Sequence, residues 1–334
     1  MATNTYMLEY DAFIRSIKQN KNVSHAVLLG AGASISSQIQ SAADCIWEWK
    51  RDIYSSNNPN TTLIVSNFRS EAVRRSIQAW LDAQGEYPLM GSSDEYSFYA
   101  EKAYPIEADR QKYFEQLAYN KAPYIGYKLL CMLNNAGIVK SVWTTNFDGL
   151  TERAAHQMNI TPICITLDDP ERIFRNENSH ELLYIALHGD YKYSKLKNTN
   201  QELDTQNNIF KDALKRYFVD KNLIVMGYSG RDKSLMNALK EAFSQPGSGR
   251  LYWCGFGDDI CSEVKDLIDI ARVNNRIAYF ISTDGFDKTI LQLSRACFED
   301  DIVKQEEIKK LIKSTIKKDE TKTSFRIESP RDDK

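Results

Sequence analysis

His25-Ala26-Val27-Leu28-Leu29-Gly30-Ala31-Gly32-Ala33-Ser34 is an apolar run of strand character that breaks into a short, glycine-punctuated turn closing on a serine. After a strand buried on both faces, glycines let the backbone turn tightly and approach a pyrophosphate. The N–H groups of the following turn then present positive dipole ends. Gly30, Ala31, Gly32, Ala33 and Ser34 are therefore candidate nucleotide contacts. The turn is not the fingerprint of hydride-transfer enzymes, because Ile35 stands where the third glycine belongs. Nor do Glu48 and Asp52 fall at the end of a second strand, where an acid would meet a ribose; they lie in a segment of helical character. A ligand-free strand-to-helix turn has the same local sequence, so the stretch has to be read with the rest of the chain.

Along the rest of the chain, short Val/Ile/Leu/Tyr-rich runs alternate with longer segments of helical periodicity, the pattern of a parallel sheet covered by helices. Strands are expected near 24–30, 139–144, 161–166, 182–188, 222–227, 250–256 and 276–282. Helices are expected at 41–54, 107–119, 122–136, 148–158, 204–219, 231–243, 258–273 and 286–297. The interval from about 55 to 138 has no convincing strand but carries Trp80, Tyr96, Phe98, Tyr99, Tyr104, Tyr113 and Phe114. It is expected to form a helical insertion packed over one end of the sheet, its aromatics mainly core and one or two of them lining a cleft. The sheet and its insertion are thus assigned to one domain, 1–300. From 301 the chain becomes a charged helix and tail, with 17 charged residues among the 31 from Lys304 to Lys334 and an apolar stripe of Ile302, Val303, Ile308, Leu311, Ile312 and Ile316. Such a tail also suits a linker to further domains.

Bulk properties narrow the classes. The chain has 334 residues, 42% of them hydrophobic, and 43 Lys+Arg against 45 Asp+Glu give a net charge of −2. Nothing global attracts it to nucleic acid or an anionic membrane. No apolar run approaches the roughly 20 residues that span a bilayer, and the first residues lack the charged-then-apolar pattern of a signal peptide. A soluble cytoplasmic protein is expected. The six cysteines, Cys45, Cys131, Cys164, Cys254, Cys261 and Cys297, include no C-x-x-C pair, which argues against a structural zinc ribbon.

Three further motifs are expected at carboxyl ends of strands, where open α/β sheets bind ligands. These are Trp143-Thr144-Thr145-Asn146-Phe147-Asp148-Gly149, Leu187-His188-Gly189-Asp190 and Gly227-Tyr228-Ser229-Gly230-Arg231-Asp232. Each alone has a plain structural reading. Asn146 and Asp148 suit a turn and a helix N-cap, His188 a satisfied histidine at a strand end, and Asp232 the start of a helix. Four such turns in order on one sheet point to a site.

The ordered set Gly-Ala-Gly-x-Ser, Thr-Thr-Asn-x-Asp, His-Gly and Gly-Tyr-Ser-x-x-Asp resembles the sirtuin (SIR2-like) NAD-binding fold over about 20–300. More narrowly, it is similar to the bacterial SIR2-like domains of antiphage defence proteins, which hydrolyse NAD+ and commonly sit at the N-terminus of larger sensor or ATPase chains. The resemblance implies a sirtuin-like Rossmann sheet with helices on both faces and a helical insertion module, without zinc ribbon or metal. It implies NAD+ as substrate between sheet and module, cleaved to nicotinamide and ADP-ribose. Asn146 and His188 would be the catalytic pair. Asp148 is either a helix cap or a support for a cationic transition state. Thr145, Asn146, Asp148, Gly227, Tyr228, Ser229 and Asp232 would join the residues of the 30–34 turn in holding the dinucleotide. A homo-oligomer controlled by a sensor or ATPase module, attached or separate, is the expected assembly. The sequence departs from the family in two places: the zinc ribbon of the deacylases is missing, and Gln38-Ile39-Gln40 replaces Gly-Ile-Pro. The alternatives are an NAD+-dependent protein deacylase and a non-catalytic NAD+ or ADP-ribose sensor.

Overall fold

The computed structural model describes residues 5–61, 70–92, 94–166, 170–175, 178, 180–187 and 207–324. Its frame is a seven-stranded parallel sheet: β1 (His25–Leu29), β2 (Val139–Thr144), β3 (Thr161–Thr166), β4 (Glu181–Ala186), β5 (Asn222–Met226), β6 (Leu251–Phe256) and β7 (Ala278–Thr283), in the order β3-β4-β2-β1-β5-β6-β7. β1 and β5 are buried along their whole lengths, which is why both read as unbroken apolar runs rather than alternating ones. From β1 the chain adds β2 beside it, reaches the edge at β3 and returns with β4 between β3 and β2, then crosses to β5, β6 and β7 on the other side. The topological switch, and with it the crevice at the carboxyl ends of the strands, therefore falls at β1 and β5.

Alternate residues of each strand feed two cores. Val27, Leu29, Val142, Ile224 and Met226 face one layer, made of α1 (Tyr10–Gln19), α6 (Ile125–Asn135), α7 (Leu150–Gln157) and α11 (Phe286–Cys297). Ala26, Leu28, Trp143, Leu223 and Val225 face the other, made of α8 (Asn207–Tyr217), α9 (Lys233–Phe243) and α10 (Ser262–Val273). The final helix, α12 (Ile302–Ser324), docks on the first layer through Ile308, Leu311 and Ile312. Ile302 and Val303 of the expected stripe stay 80% and 76% exposed. Helix α1 has no counterpart in the sequence reading; its buried Phe13 and Ile17 are two positions one helical turn apart, a short signal. No described helix is long and apolar enough to cross a membrane.

A third core belongs to the helical module: α2 (Ala42–Asn57), α3 (Glu71–Gln84), α4 (Glu95–Ala103) and α5 (Glu107–Ala118). Trp49, Leu81 and Tyr99 are wholly buried in it. Its limits differ from the expected 55–138. The first helix already contributes Cys45, Ile46 and Trp49, whereas α6 belongs to the sheet, because its run Leu129, Leu130, Cys131, Met132 and Leu133 is apolar all round and is buried in the first layer. Phe147, from the loop after β2, packs into the module with its ring 4.9 Å from that of Phe114, so the two bodies share a seam.

Inside the module, Lys50 is 1% exposed and is held by Glu95 at 2.5 Å and Gln78 at 2.8 Å. Removing one member of such a pair strands a buried charge, whereas removing both does not. Lys50→Met is expected to cost about 3–5 kcal/mol of unfolding free energy. Lys50→Met/Glu95→Leu should recover most of that loss, as read by denaturant midpoints of the two variants; a double variant no better than the single one contradicts the pairing.

Candidate functional site

The strands β1 and β5 end in loops that meet backbone to backbone. The Gly30 N–H donates to the Met226 carbonyl at 3.1 Å and the Gly32 N–H to the Gly227 carbonyl at 2.8 Å. Side chains have no room there: a Cβ on Gly30 would lie 2.5 Å from the Gly227 oxygen, and one on Gly227 would lie 2.3 Å from the Ala33 nitrogen. Gly227 also has φ +66°, a conformation glycine adopts without penalty. Beyond this contact the chain winds into a 3₁₀ segment, Ala31–Ser37.

The loop after β2 is tied to the same point. The Thr144 hydroxyl donates to the Leu29 carbonyl and accepts from the Asn146 N–H, each at 3.0 Å, and the Thr145 N–H donates to Leu29 as well. The Arg153 guanidinium donates to the Asp148 carbonyl at 2.5 Å, holding the far side of the turn. Asn146 is thereby carried back over the end of β1. Its side-chain NH2 donates to the Gly30 carbonyl and to the Ser34 hydroxyl oxygen, both at 3.0 Å. A backbone carbonyl only accepts, so the amide is fixed nitrogen-inward, with both of its protons spent. What it offers the cavity it lines is the oxygen, an acceptor.

Ser34 is the hub beneath. It is wholly buried, donates to Asp148 Oδ2 at 2.5 Å, and accepts from Asn146 and from the Tyr127 hydroxyl at 2.8 Å. One donor and two acceptor sites are all a hydroxyl has, so the direction of every bond follows from the acceptor-only carboxylate. The other oxygen of Asp148 accepts from the Leu150 N–H at 2.9 Å. Asp148 thus restrains the start of α7, as a cap would, and its other oxygen stands in the buried network behind Asn146. Burial, and next the negative charge of Asp148, raise the Tyr127 phenol well above its ordinary range, so it remains a neutral donor.

Above these loops lies a cavity of about 630 Å³ between sheet and module, within the range of small-molecule sites. Its floor is Ala31, Gly32, Ser34, Thr145, Asn146, Asp148, Gly227, Tyr228 and Ser229; its roof includes Ile39, Gln40, Cys45, Tyr96 and Phe114. Arg231 and Lys233 bring positive charge to one wall. Lys233 pairs across the mouth with Asp94 of the module at 3.2 Å. Desolvation pushes the Cys45 thiol up to about 12, so this roof residue is a neutral thiol.

Several expected contacts take other places. Gly30 and Ala33 do not line the cavity: Gly30 gives its N–H to Met226 and its carbonyl to Asn146, and Ala33 is 1% exposed, in the core below the turn. The Ser34 hydroxyl is directed to Asp148 rather than to a phosphate. Gly30 and Gly32 therefore serve by letting backbones meet, not by donating to a ligand. Asp232 lines the wall, but its carboxylate caps α9, accepting from the Ser234 and Leu235 N–H groups. His188, the residue after Leu187, lies outside the described residues. Tyr127 was not singled out from sequence, since a lone tyrosine in an apolar helix carries no signal; the roof segment was marked there only through Gln38-Ile39-Gln40, as a departure from the family motif. Of the aromatics expected in the insertion, Tyr96 and Phe114 reach the cavity. Among the described residues no group of three or more His, Cys, Asp or Glu is placed to hold a metal ion.

Residues 140–275 match the family model of the SIR2-like domain. The match takes in residues 145–148, 188 and 227–232, while the 30–34 turn stands outside it and joins the site through the contacts above. No curated protein matches the chain.

The glycine contact is open to direct test. Gly227→Ala forces a side chain into positive φ against the backbone of Ala33 and is expected to cost about 3 kcal/mol. Gly257→Ala, also at positive φ (+73°) but with open space around its Cβ position, is expected to cost about 1 kcal/mol. Equal losses in chemical denaturation would contradict the close-contact account.

Proposed function

We propose that the cavity takes NAD+ as substrate and that the protein is an NAD+ glycohydrolase. SIR2-like domains use NAD+, and the observation that carries the finer reading is the Asn146 amide, locked by Gly30 and Ser34 with only its oxygen left for the cavity.

Hydrolysis breaks the bond between nicotinamide and the ribose anomeric carbon. The bonding pair leaves with nicotinamide, which departs neutral, and positive charge builds on the sugar as in other glycosyl transfers. Water supplies the new C–O bond and gives up a proton. An acceptor held at that point orients the attacking water or a ribose hydroxyl, and Asn146 Oδ1 is assigned this work. His188 is assigned the proton-accepting role, one typically worth about 10²–10⁴ in rate. The Asp148 carboxylate, positioned behind Asn146 by Ser34 and the Leu150 N–H, contributes negative charge in a water-poor setting. The Ala31 backbone, Arg231 and Lys233 suit the pyrophosphate, and Ser229 and Tyr228 the adenosine side.

An enzyme that consumes a central cofactor has to be restrained until it is needed. We accordingly place it in antiphage defence by depletion of NAD+ in the cytoplasm, held in check by homo-oligomerisation and by a sensor or ATPase module, attached or separate.

The test is incubation of the purified chain with NAD+, following nicotinamide and ADP-ribose by chromatography while protein concentration is varied. The parent chain should release both in equal amounts, and Asn146→Ala should lose at least about 10²-fold in rate. An Asn146→Ala chain that cleaves at the parent rate contradicts the assignment, as does nicotinamide release that requires an added acyl-lysine peptide.

A further inference from the structure

We infer that Tyr127 is a positioning residue for Asn146, acting through the Ser34 hydroxyl. Tyr127 lies outside all four loops of the site, on α6, and is 1% exposed. Its hydroxyl meets Ser34 Oγ at 2.8 Å. A serine hydroxyl rotates freely unless its partners fix it, and Ser34 has two arrangements open to it. In one it donates to Asp148 and receives Asn146. In the other its proton turns toward Asn146, which then loses an acceptor for one of its two amide protons. With Asp148 taking the proton and the phenol donating to one lone pair, the lone pair that remains is the one facing Asn146.

The surroundings make Tyr127 a rigid donor. The start of α6 is pinned by the Gly126 N–H donating to Asp287 at 2.7 Å and the Tyr124 N–H donating to Ser37 Oγ at 3.0 Å. Gly126 is there because a Cβ would lie 2.6 Å from that Asp287 oxygen. The Tyr127 ring packs edge-on against Phe286, with centroids 5.1 Å apart. Ser37, from the turn after β1, and Asp287, from α11, therefore hold the helix whose next residue sets the hydroxyl at the centre of the site. The second hydrogen bond of the Asn146 amide is in this way supported from the layer behind the sheet.

Tyr127→Phe keeps the ring and its contact with Phe286 and removes only the donor. Two readouts test it. The first needs no substrate: hydrogen exchange of the Asn146 side-chain amide protons, observed by NMR in the full chain and assigned by their loss in Asn146→Ala. Exchange should accelerate about tenfold in Tyr127→Phe, since a neutral hydrogen bond is worth a factor of that order. The second rests on the glycohydrolase reading. The value of kcat should fall about tenfold with KM for NAD+ changed by less than about twofold and the pH profile unchanged in shape. In a Ser34→Ala background, adding Tyr127→Phe should change neither readout further, because a residue acting through Ser34 has nothing left to act on. Exchange within about twofold of the parent in Tyr127→Phe, or losses that multiply in the double variant, overturn the inference. A parent chain that leaves NAD+ intact counts against the glycohydrolase reading alone, and the exchange measurement then decides the role of Tyr127.

Discussion

The contact between the loops that follow β1 and β5 is the constraint on which the site depends. Two backbones carrying Gly30, Gly32 and Gly227 approach so closely that no Cβ fits at any of the three. They are held by the Gly30 and Gly32 N–H groups bonding to the carbonyls of residues 226 and 227. This happens at the switch point of a parallel sheet, where neighbouring crossovers run apart and leave a crevice. The cost of the approach is that these N–H groups are satisfied by protein. The glycines shape the floor of the crevice, and the job of meeting a ligand passes to Ala31, to the 228–229 backbone and to the side chains on the walls.

The chemistry of Asn146 follows from the same geometry. With Gly30 seated against Gly227, its carbonyl points to where the loop after β2 returns, and an asparagine there can only present its NH2 to it. Ser34 takes the second amide proton and passes its own to Asp148. Apart from the Asn146 oxygen, which faces the cavity, the polar side-chain atoms in this chain of contacts have partners of the right kind, which is what a buried polar network needs in order to rigidify rather than weaken a site. The roof is built differently, by a module with a core of its own, joined to the sheet by the Phe147–Phe114 contact and the Lys233–Asp94 ion pair. That ion pair is between exposed side chains and worth little in itself, so the mouth is not held shut by strong interactions.

Much of the frame was legible in the sequence. The strands expected near 24–30, 139–144 and 222–227 fall on β1, β2 and β5, because strands buried on both faces announce themselves as apolar runs closed by turn residues, and the one expected near 161–166 falls on β3 at the sheet edge. The insertion was legible as a region without strands, but its edges were not, since α2 and α6 both read as helices and only packing assigns one to the module and the other to the sheet. The loops of the site were found from residue types at strand ends, and their internal wiring was not. Nothing in Gly-Ala-Gly-Ala-Ser tells that the serine turns down to Asp148 or that the alanine before it is core, and nothing in Tyr127 tells that its hydroxyl reaches Ser34 across a sequence separation of 93 residues. Such pairings depend on where the sheet brings distant loops together.

The most direct measurement is a crystal structure of the Asn146→Ala chain grown with NAD+, the substitution serving to keep the dinucleotide whole. The account predicts NAD+ lying across the carboxyl ends of β1 and β5, its pyrophosphate over residues 31–32 and its nicotinamide ribose beside position 146. A dinucleotide bound away from the crevice, or bound within it with the adenine end at position 146, would contradict it.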